Sequence, residues 1–378
     1  MEKHTAILVN QSAGYLTVDI CNAFAEKYDR VILLAGNVST IGRPLSEKVT
    51  VVPLTRYDKS SILSRLRTWK KATRQINEYL DNFEGEADIV YFSNPPMSSL
   101  KADRRPGRYA LVEYDIYPDV LRNVLCPNFI IRRWARRKRE IFAKATGIVT
   151  LGNSMREQLG QYIDEDKVTV IHNWSGHEGE IVRVPDAENE FAQAMGLDGK
   201  FVAMYSGNIG LTHNVEALLD AASLLRDDDD IRFLIIGTGG RKEELMHIAS
   251  KRGLHNVTFH NFLPTDKIKY SFSCADLGVV TLNEHTVRSS VPSKTYNLLA
   301  YGIPLLNISP EGSELGALTE SFGCGASFKG EDTEGIAEFI KHCKDNPEEF
   351  ARLRANARTA SAEFTPANAR LYAEIFNI

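Results

Sequence analysis

The sequence predicts an α/β protein built of two Rossmann-like domains facing across a cleft, and three observations carry that expectation. Short apolar runs alternate with amphipathic helical stretches, the pattern of parallel sheets crossed by helices. The alternation lapses after His172-Asn173-Trp174 and then restarts. At 378 residues the chain also exceeds what one hydrophobic core usually organises. Domains are therefore expected at residues 1–173 and 174–365, with residues 366–378 forming a C-terminal helix that packs back on the first domain.

Strands in the front half are expected at Ala6–Val9, Val31–Ala35, Val49–Pro53, Ile89–Phe92, Tyr109–Val112, Gly147–Leu151 and Val168–Ile171, each a short apolar run. Helices are expected between them at Leu16–Tyr28, Ser61–Asn82, Ile130–Lys144 and Ser154–Tyr162. In the second helix Ile62, Leu66, Trp69, Ile76 and Leu80 recur near helical spacing, so they are assigned to packing. Ser175–Pro185 is rich in Gly, Glu and Val without a period and reads as a linker. Beyond it, strands are expected at Phe201–Tyr205, Phe233–Ile236, Val257–Phe259, Leu277–Thr281, Pro304–Asn307 and Ala326–Phe328. Helices are expected at Asn214–Leu225, Lys242–Lys251, Asp266–Ser273, Lys294–Tyr301 and Thr333–Cys343. In open sheets of this kind ligands sit beyond the carboxyl ends of the strands, which directs attention to the loops there.

Composition narrows the class. Hydrophobic residues are 43% and charged residues 25% of the chain, ordinary for a soluble globular protein. Met1–Asn10 lacks a basic region with a long apolar run and reads as the first strand, not as a signal peptide. No apolar run reaches the roughly 18 residues a membrane-spanning helix needs. Cys21, Cys126, Cys274, Cys324 and Cys343 are scattered and never spaced as CxxC, which argues against a disulfide framework or a zinc site and fits a reducing cytoplasm. The net charge of −4 hides an asymmetry. Residues 1–173 hold 26 basic against 20 acidic residues, and residues 174–378 hold 19 against 29, so the front half is expected to meet an anionic partner.

Two back-half loops invite a phosphate. Tyr205-Ser206-Gly207-Asn208-Ile209-Gly210-Leu211 follows an apolar strand and precedes a helix, and its glycines let backbone approach a bulky anion. The spacing is not that of a P-loop. Leu234-Ile235-Ile236-Gly237-Thr238-Gly239-Gly240 has the outline of a dinucleotide fingerprint, but Lys242 stands where the third glycine belongs and no acidic residue follows the next strand. The most informative stretch is Arg288-Ser289-Ser290-Val291-Pro292-Ser293-Lys294-Thr295-Tyr296-Asn297. Pro292 and Ser293 offer a helix cap, with Lys294 in the first turn. A lysine there works against the helix dipole unless something negative lies between them, and a diphosphate would supply it. Lys294 and Asn297, three apart, share a helical face suited to phosphate and ribose. A bare turn and an exposed lysine are the alternatives on these residues alone.

The segments YSGNIG, LIIGTGG, HNFLP and VPSKTYNLLAYGIPLL, with VIHNW before the linker, resemble the glycosyl transferases group 1 domain of the family-4 glycosyltransferases. The resemblance implies a GT-B type fold and retaining transfer of a sugar from a nucleotide diphosphate, UDP or GDP. The VPSK variant resembles enzymes of bacterial O-antigen and capsule polysaccharide synthesis, so a glycan or polyprenyl-diphosphate acceptor is implied. Donor contacts are then expected from Gly14, Gly207, Asn208, Gly237, Phe262, Leu263, Arg288, Ser293, Lys294 and Asn297. The chain departs from the family where an Arg and a Lys of the first back-half loop become Asn208 and His213, and where two glutamates become Ser289 and Asn297. Neutralising the leaving diphosphate therefore falls on Lys294, with Arg288 as a second cation. No metal is expected, since no DxD stands in a suitable loop, and the nucleotide sugar is substrate rather than cofactor.

In the front half, Glu113-Tyr114-Asp115-Ile116-Tyr117-Pro118-Asp119 follows a strand, so Asp115 first and Glu113 second are candidates to orient an acceptor hydroxyl or take its proton. The run Ile130–Phe142 holds Arg132, Arg133, Trp134, Arg136 and Arg137 on a helix with Ile130, Trp134 and Ile141 near one face. Such a basic helix suits an anionic membrane or a lipid diphosphate, while a solvated surface helix is the plainer alternative. No nucleic-acid motif accompanies it. The expected partners are thus a nucleotide sugar, a lipid-linked or glycan acceptor and the inner face of an anionic membrane. A nucleotide-sugar 2-epimerase of the same fold and a catalytically silent binding subunit are the competing functions.

Overall fold

The computed structural model describes residues 4–40, 42–121, 127–176, 181–210, 213–284 and 291–376. The chain divides into two units, Met1–Gly176 with Pro366–Ile378, and His177–Thr365.

The first unit runs β1 (Thr5–Val9), β2 (Ser12–Ala13), α1 (Tyr15–Lys27), β3 (Arg30–Ala35), β4 (Asn37–Val38), β5 (Val49–Pro53), α2 (Ile62–Asp81), β6 (Asp88–Phe92), β7 (Tyr109–Glu113), α3 (Asn128–Phe142), β8 (Gly147–Thr150), α4 (Asn153–Leu159) and β9 (Val168–Val170). Its main sheet has seven parallel strands in the order β5-β3-β1-β6-β7-β8-β9. Strands alternate their side chains between two apolar layers: Ala6 and Leu8 face one, Ile7 and Val9 the other. Both faces are covered, which is why these strands read as continuous apolar runs rather than as alternating ones.

The second unit runs α5 (Glu190–Ala194), β10 (Phe201–Ser206), α6 (Glu216–Leu224), β11 (Ile231–Ile236), α7 (Lys242–Lys251), β12 (Val257–His260), α8 (Ile268–Cys274), β13 (Leu277–Thr281), α9 (Ser293–Ala300), β14 (Leu305–Ile308), α10 (Glu314–Phe322), β15 (Gly325–Phe328), α11 (Thr333–Asp345) and α12 (Pro347–Ser361). Its six parallel strands are ordered β12-β11-β10-β13-β14-β15. Chain order reverses between β10 and β13, and in the first sheet between β1 and β6. At such reversals the loops on either side splay apart and leave a crevice for ligand.

The last helix, α13 (Asn368–Glu374), returns to the first unit and packs on α1. Tyr372 is fully buried there, edge-on to Trp174 at 6.3 Å, with its hydroxyl 3.1 Å from that of Tyr114. Trp174 is buried too, and its Nε1 donates to Asp19 at 2.7 Å. That anchor keeps Trp174–Gly176 with the first unit, three residues beyond the boundary expected at 173.

Three helices of the second unit, α5, α10 and α12, lie outside the expected set, and α2 packs differently from expectation. α12 begins with Pro347 and two acidic residues, favourable helix-start chemistry, but its apolar stripe of small alanines gives little periodic signal. In α2, Trp69, Ala72, Ile76 and Leu80 are buried, whereas Ile62 and Leu66 are 59% and 45% exposed and do not pack.

Tyr372→Ala is expected to destabilise the first unit by about 3–5 kcal/mol, through the lost aromatic volume. Denaturant unfolding followed by Trp174 fluorescence checks it; an unchanged midpoint would detach the C-terminal helix from this core.

Candidate functional site

The carboxyl end of β10 lies at the second unit's strand reversal, and the chain there turns through Gly207-Asn208-Ile209-Gly210. The adjacent turn after β11 packs directly on it. A Cβ on Gly237 would lie 1.9 Å from the Gly207 carbonyl oxygen, and one on Gly239 would lie 2.2 Å from that of Ile209. Gly237 is thus a glycine for close backbone approach, which fixes the loop beside it. Lys242 closes the edge of this crevice by donating to the carbonyls of Gly237 and His260, each at 3.0 Å, and to Asn261 Oδ1 at 2.6 Å. The residue that spoils the dinucleotide fingerprint is a structural tie.

α9 opens into the same region. Its cap position is Pro292, no side chain caps it, and no acidic residue stands in its first turn. Ser293 is the first helical residue, so it lies one position too late for the capping role that its sequence context suggests. Free amide groups and the dipole make this start attractive to an anion.

Lys294 occupies the second position of that helix. Its stem is half-buried, but the ammonium nitrogen is shut away from solvent and has no hydrogen-bond partner among the described residues. It sits 3.8 Å from the centre of the Tyr205 ring, and a Cβ on Gly207 would lie 3.3 Å from it. A desolvated cation–π contact contributes about 2 kcal/mol, while the penalty for desolvating one ion is several kcal/mol. The ring therefore does not restore the charge, and burial pulls the Lys294 pKa from 10.5 down to about 7. Tyr205 itself is no anionic partner, because burial holds its phenol at about 12. His213 lies close enough for burial, and then the Lys294 charge, to push its imidazole toward the neutral form.

The other expected donor contacts fall unevenly. Asn208 is exposed on the β10 loop, and Asn297 is half-buried one turn beyond Lys294. Phe262 is exposed and Leu263 half-buried after β12, which is two strands from β10 in the sheet order, with β11 between. Arg288, with Ser289, lies outside the described residues. The sequence missed Tyr205: a tyrosine ending an apolar strand looks like core, and nothing in the linear pattern places a lysine eighty-nine residues later on its face.

The first unit has its own reversal, between β1 and β6. Asn10 follows β1 and donates to Thr17 Oγ1 at 2.8 Å, while Gln11 Nε2 donates to the carbonyls of Thr55 and Thr68. Gly14 caps α1 without a side-chain bond, and a Cβ there would meet nothing within 4 Å. A pocket of about 260 Å³ opens at this point, walled by Asn10, Gly14, Thr17, Ser93, Asn94 and Asp115 among others. Asp115 meets the solvent of this pocket, yet the surrounding protein desolvates its carboxyl enough to raise the pKa, with Lys59 opposing.

Glu113 differs. It is buried and accepts from Lys138 Nζ at 2.9 Å, and that ammonium also donates to the Tyr117 carbonyl at 2.6 Å. Burial raises the Glu113 pKa and the Lys138 charge lowers it. The acid/base assignment to Glu113 is corrected accordingly: its carboxylate is the counter-ion of a buried lysine, absent from the walls of the Asp115 pocket.

α3 is amphipathic in a different register from the one expected. Ile131, Ala135, Lys138, Ile141 and Phe142 are buried, Ile130 is 41% exposed, and Trp134 stacks on Tyr117 at 6.2 Å. Arg132, Arg133 and Arg136 are exposed. Arg137 is not available to an outside anion, because it pairs with Asp103 and with Glu140 at 2.8 Å and donates to the Leu100 carbonyl. Among the described residues no cluster of His, Cys, Asp or Glu could hold a metal ion, and no helix is long and apolar enough to cross a membrane.

Residues 186–360 match the family described as Glycosyl transferases group 1, and they lie within the second unit. Over 237 residues the chain is 26% identical to the Probable glycosyltransferase WbjE of Pseudomonas aeruginosa, covering 62% of this chain and 59% of that protein. The chain spans less than two thirds of the length of the curated relatives it matches. The structure of Anabaena HepE in complex with UDP-glucose superposes with a TM-score of 0.69 at 16% identity, covering 98% of each chain. That of WaaG, a glycosyltransferase involved in lipopolysaccharide biosynthesis, gives 0.68 at 13% identity, covering 98% of this chain and 99% of that one. These likenesses establish the fold, which is of the GT-B type.

Between pH values near 7 and 10.5 the unfolded chain binds a proton at Lys294 that the folded protein has released. Stability therefore rises with pH across that window. Lys294→Met is expected to stabilise the protein by about 2–4 kcal/mol near pH 6, an advantage that shrinks toward pH 10. Chemical denaturation at both pH values checks it, and a variant less stable than the parent near pH 6 contradicts the burial of this charge.

Proposed function

We propose that the chain is a retaining glycosyltransferase that moves a sugar from a nucleotide diphosphate onto a lipid-linked or glycan acceptor of a surface polysaccharide. The observation that carries this reading is the Lys294 ammonium, buried and without a hydrogen-bond partner among the described residues, at an uncapped helix start. A bound pyrophosphate would supply its missing counter-charge, worth about 4 kcal/mol per unit charge at 4 Å in a partly screened site. The uncapped amides of α9 add donors of the kind a phosphate accepts. The group 1 domain on these same residues supports the reading. The complex of HepE with UDP-glucose favours a UDP-sugar over a GDP-sugar here, and the involvement of WaaG in lipopolysaccharide biosynthesis favours a polysaccharide acceptor.

In the proposed reaction the bond between the anomeric carbon and the diphosphate oxygen breaks, and the acceptor oxygen bonds to that carbon on the same face. The acceptor proton passes to the leaving diphosphate oxygen. Lys294 stabilises the charge that develops there, the main electrostatic demand of such a displacement. Asp115, at the wall of the first unit's pocket, orients the acceptor hydroxyl. The donor half of the chemistry rests on the second unit and the acceptor half on the first, and no metal is assigned to either.

Titration calorimetry with UDP and GDP tests the donor half. Lys294→Met should weaken nucleotide binding about 100-fold, as expected for truncating one partner of a buried charge pair. The parent affinity should fall as pH rises above about 7, where free Lys294 loses its proton, and stay flat in the variant. Asp115→Asn should lower kcat about 100-fold with little change in donor KM. Nucleotide binding that ignores Lys294 would remove the donor assignment. Epimer formation without acceptor would replace transfer with isomerisation, and binding without turnover would leave a silent subunit.

A further inference from the structure

Twelve large hydrophobic side chains of the described residues are strongly exposed, and six of them lie in two stretches of the first unit: Ile62, Leu63 and Leu66, and Val120, Phe129 and Ile130. Leu63 is 79% and Phe129 72% exposed, the highest values for these two helices. A helix turns about 100° per residue, which puts Leu63, Leu66, Arg67, Lys70 and Arg74 on one side of α2, away from its buried Trp69, Ala72 and Ile76. On α3 the same spacing sets Phe129 among Arg132, Arg133 and Arg136, opposite the buried Ile131 and Ala135.

The two stretches are joined by a row of rings. Tyr57 stacks on Trp69 at 5.8 Å, Trp69 meets Tyr117 edge-on at 5.7 Å, and Tyr117 stacks on Trp134 at 6.2 Å. Charge on both stretches has one sign. Residues 56–74 contain seven Lys or Arg and only Asp58 against them, and residues 129–139 contain six and no acid. Apolar side chains that stand out among exposed cations are poorly suited to water, and they fit a surface offering hydrocarbon beneath anionic headgroups.

The location gives this face a purpose. Trp69 donates to Asn94 Oδ1 at 3.0 Å, and Asn94 is part of the wall of the Asp115 pocket. Lys59, just before α2, is near enough to act on the Asp115 carboxylate. We propose that the solvent side of the α2 start, extended by the Phe129 side of α3, docks on an anionic lipid bilayer and thereby holds the Asp115 pocket at the membrane surface. An acceptor carried on a lipid then reaches the pocket from the bilayer rather than by diffusion through water. The delivery role rests on the function proposed above; the docking itself does not.

The test sediments the full chain with vesicles of phosphatidylcholine, with and without phosphatidylglycerol, at low and high salt. Binding is expected only to the anionic vesicles and is expected to weaken with salt. It should fall at least about tenfold in Leu63→Asp and in the Arg67→Glu, Lys70→Glu pair. Leu224→Asp, an exposed leucine of the second unit, should bind like the parent, and thermal unfolding should be unchanged in all three. Leu63→Asp binding as well as the parent, or a parent that ignores anionic vesicles, would overturn the proposal. So would a Leu63→Asp chain whose only change is loss of self-association, which would make this face a protein interface. Nucleotide binding measured on the same samples separates the two readings: docking without it condemns the function, and nucleotide binding without docking condemns the surface.

Discussion

A single buried ammonium organises the second unit. Lys294 is held at a helix start, where the dipole repels it, and over a neutral phenol ring that offers about 2 kcal/mol against a desolvation penalty of several. Folding alone would not select that placement, because methionine would fill the same space without the penalty. The surroundings bring backbone close to the ammonium. The β10 loop approaches as bare glycine backbone, α9 leaves its first amides uncapped, and Tyr205 is fixed by a 2.7 Å bond from its hydroxyl to the Asn208 carbonyl. The strain is electrostatic, and the anion proposed above would release it, which would link the stability of this unit to its function.

Topology explains why the two candidate sites have the same form. Each sheet grows outward from a central strand in both directions, so the loops after β1 and β10 stand at the reversals. In each, a strand ends in a glycine-bearing turn, and a helix beginning nearby lacks a side-chain cap. Charge makes them differ. The second unit buries a cation beside its Gly207 turn, while the first supplies Asp115 with Lys59 nearby and surrounds the region with exposed basic side chains.

Much of the fold could be read from the chain because both sheets are covered on both faces. Most of their strands are apolar runs, several of the helices between them are amphipathic, and α2, α10 and α11 open on side-chain caps from Ser61, Ser313 and Asp332. The places of Lys294 and the Gly207 loop were legible for a local reason: Pro292-Ser293 marks a helix start just before the lysine, and glycine after an apolar strand marks a turn. Three features were not legible, since each depends on distant partners. Glu113 looks like a cleft carboxylate until Lys138, twenty-five residues on, is seen to neutralise it. Ile62 and Leu66 follow a packing period that the core does not extend far enough to use. Tyr205 gains its role only when α9 folds over it.

The central claim is that the Lys294 ammonium is waiting for a pyrophosphate. It is tested most directly by counting protons. Calorimetry of UDP binding near pH 8, in buffers of different ionisation enthalpy, should show uptake approaching one proton per nucleotide, because the bound anion restores the charge that burial has removed. That uptake should vanish in Lys294→Met. Binding with no proton uptake, or an uptake unchanged by the substitution, would contradict the account.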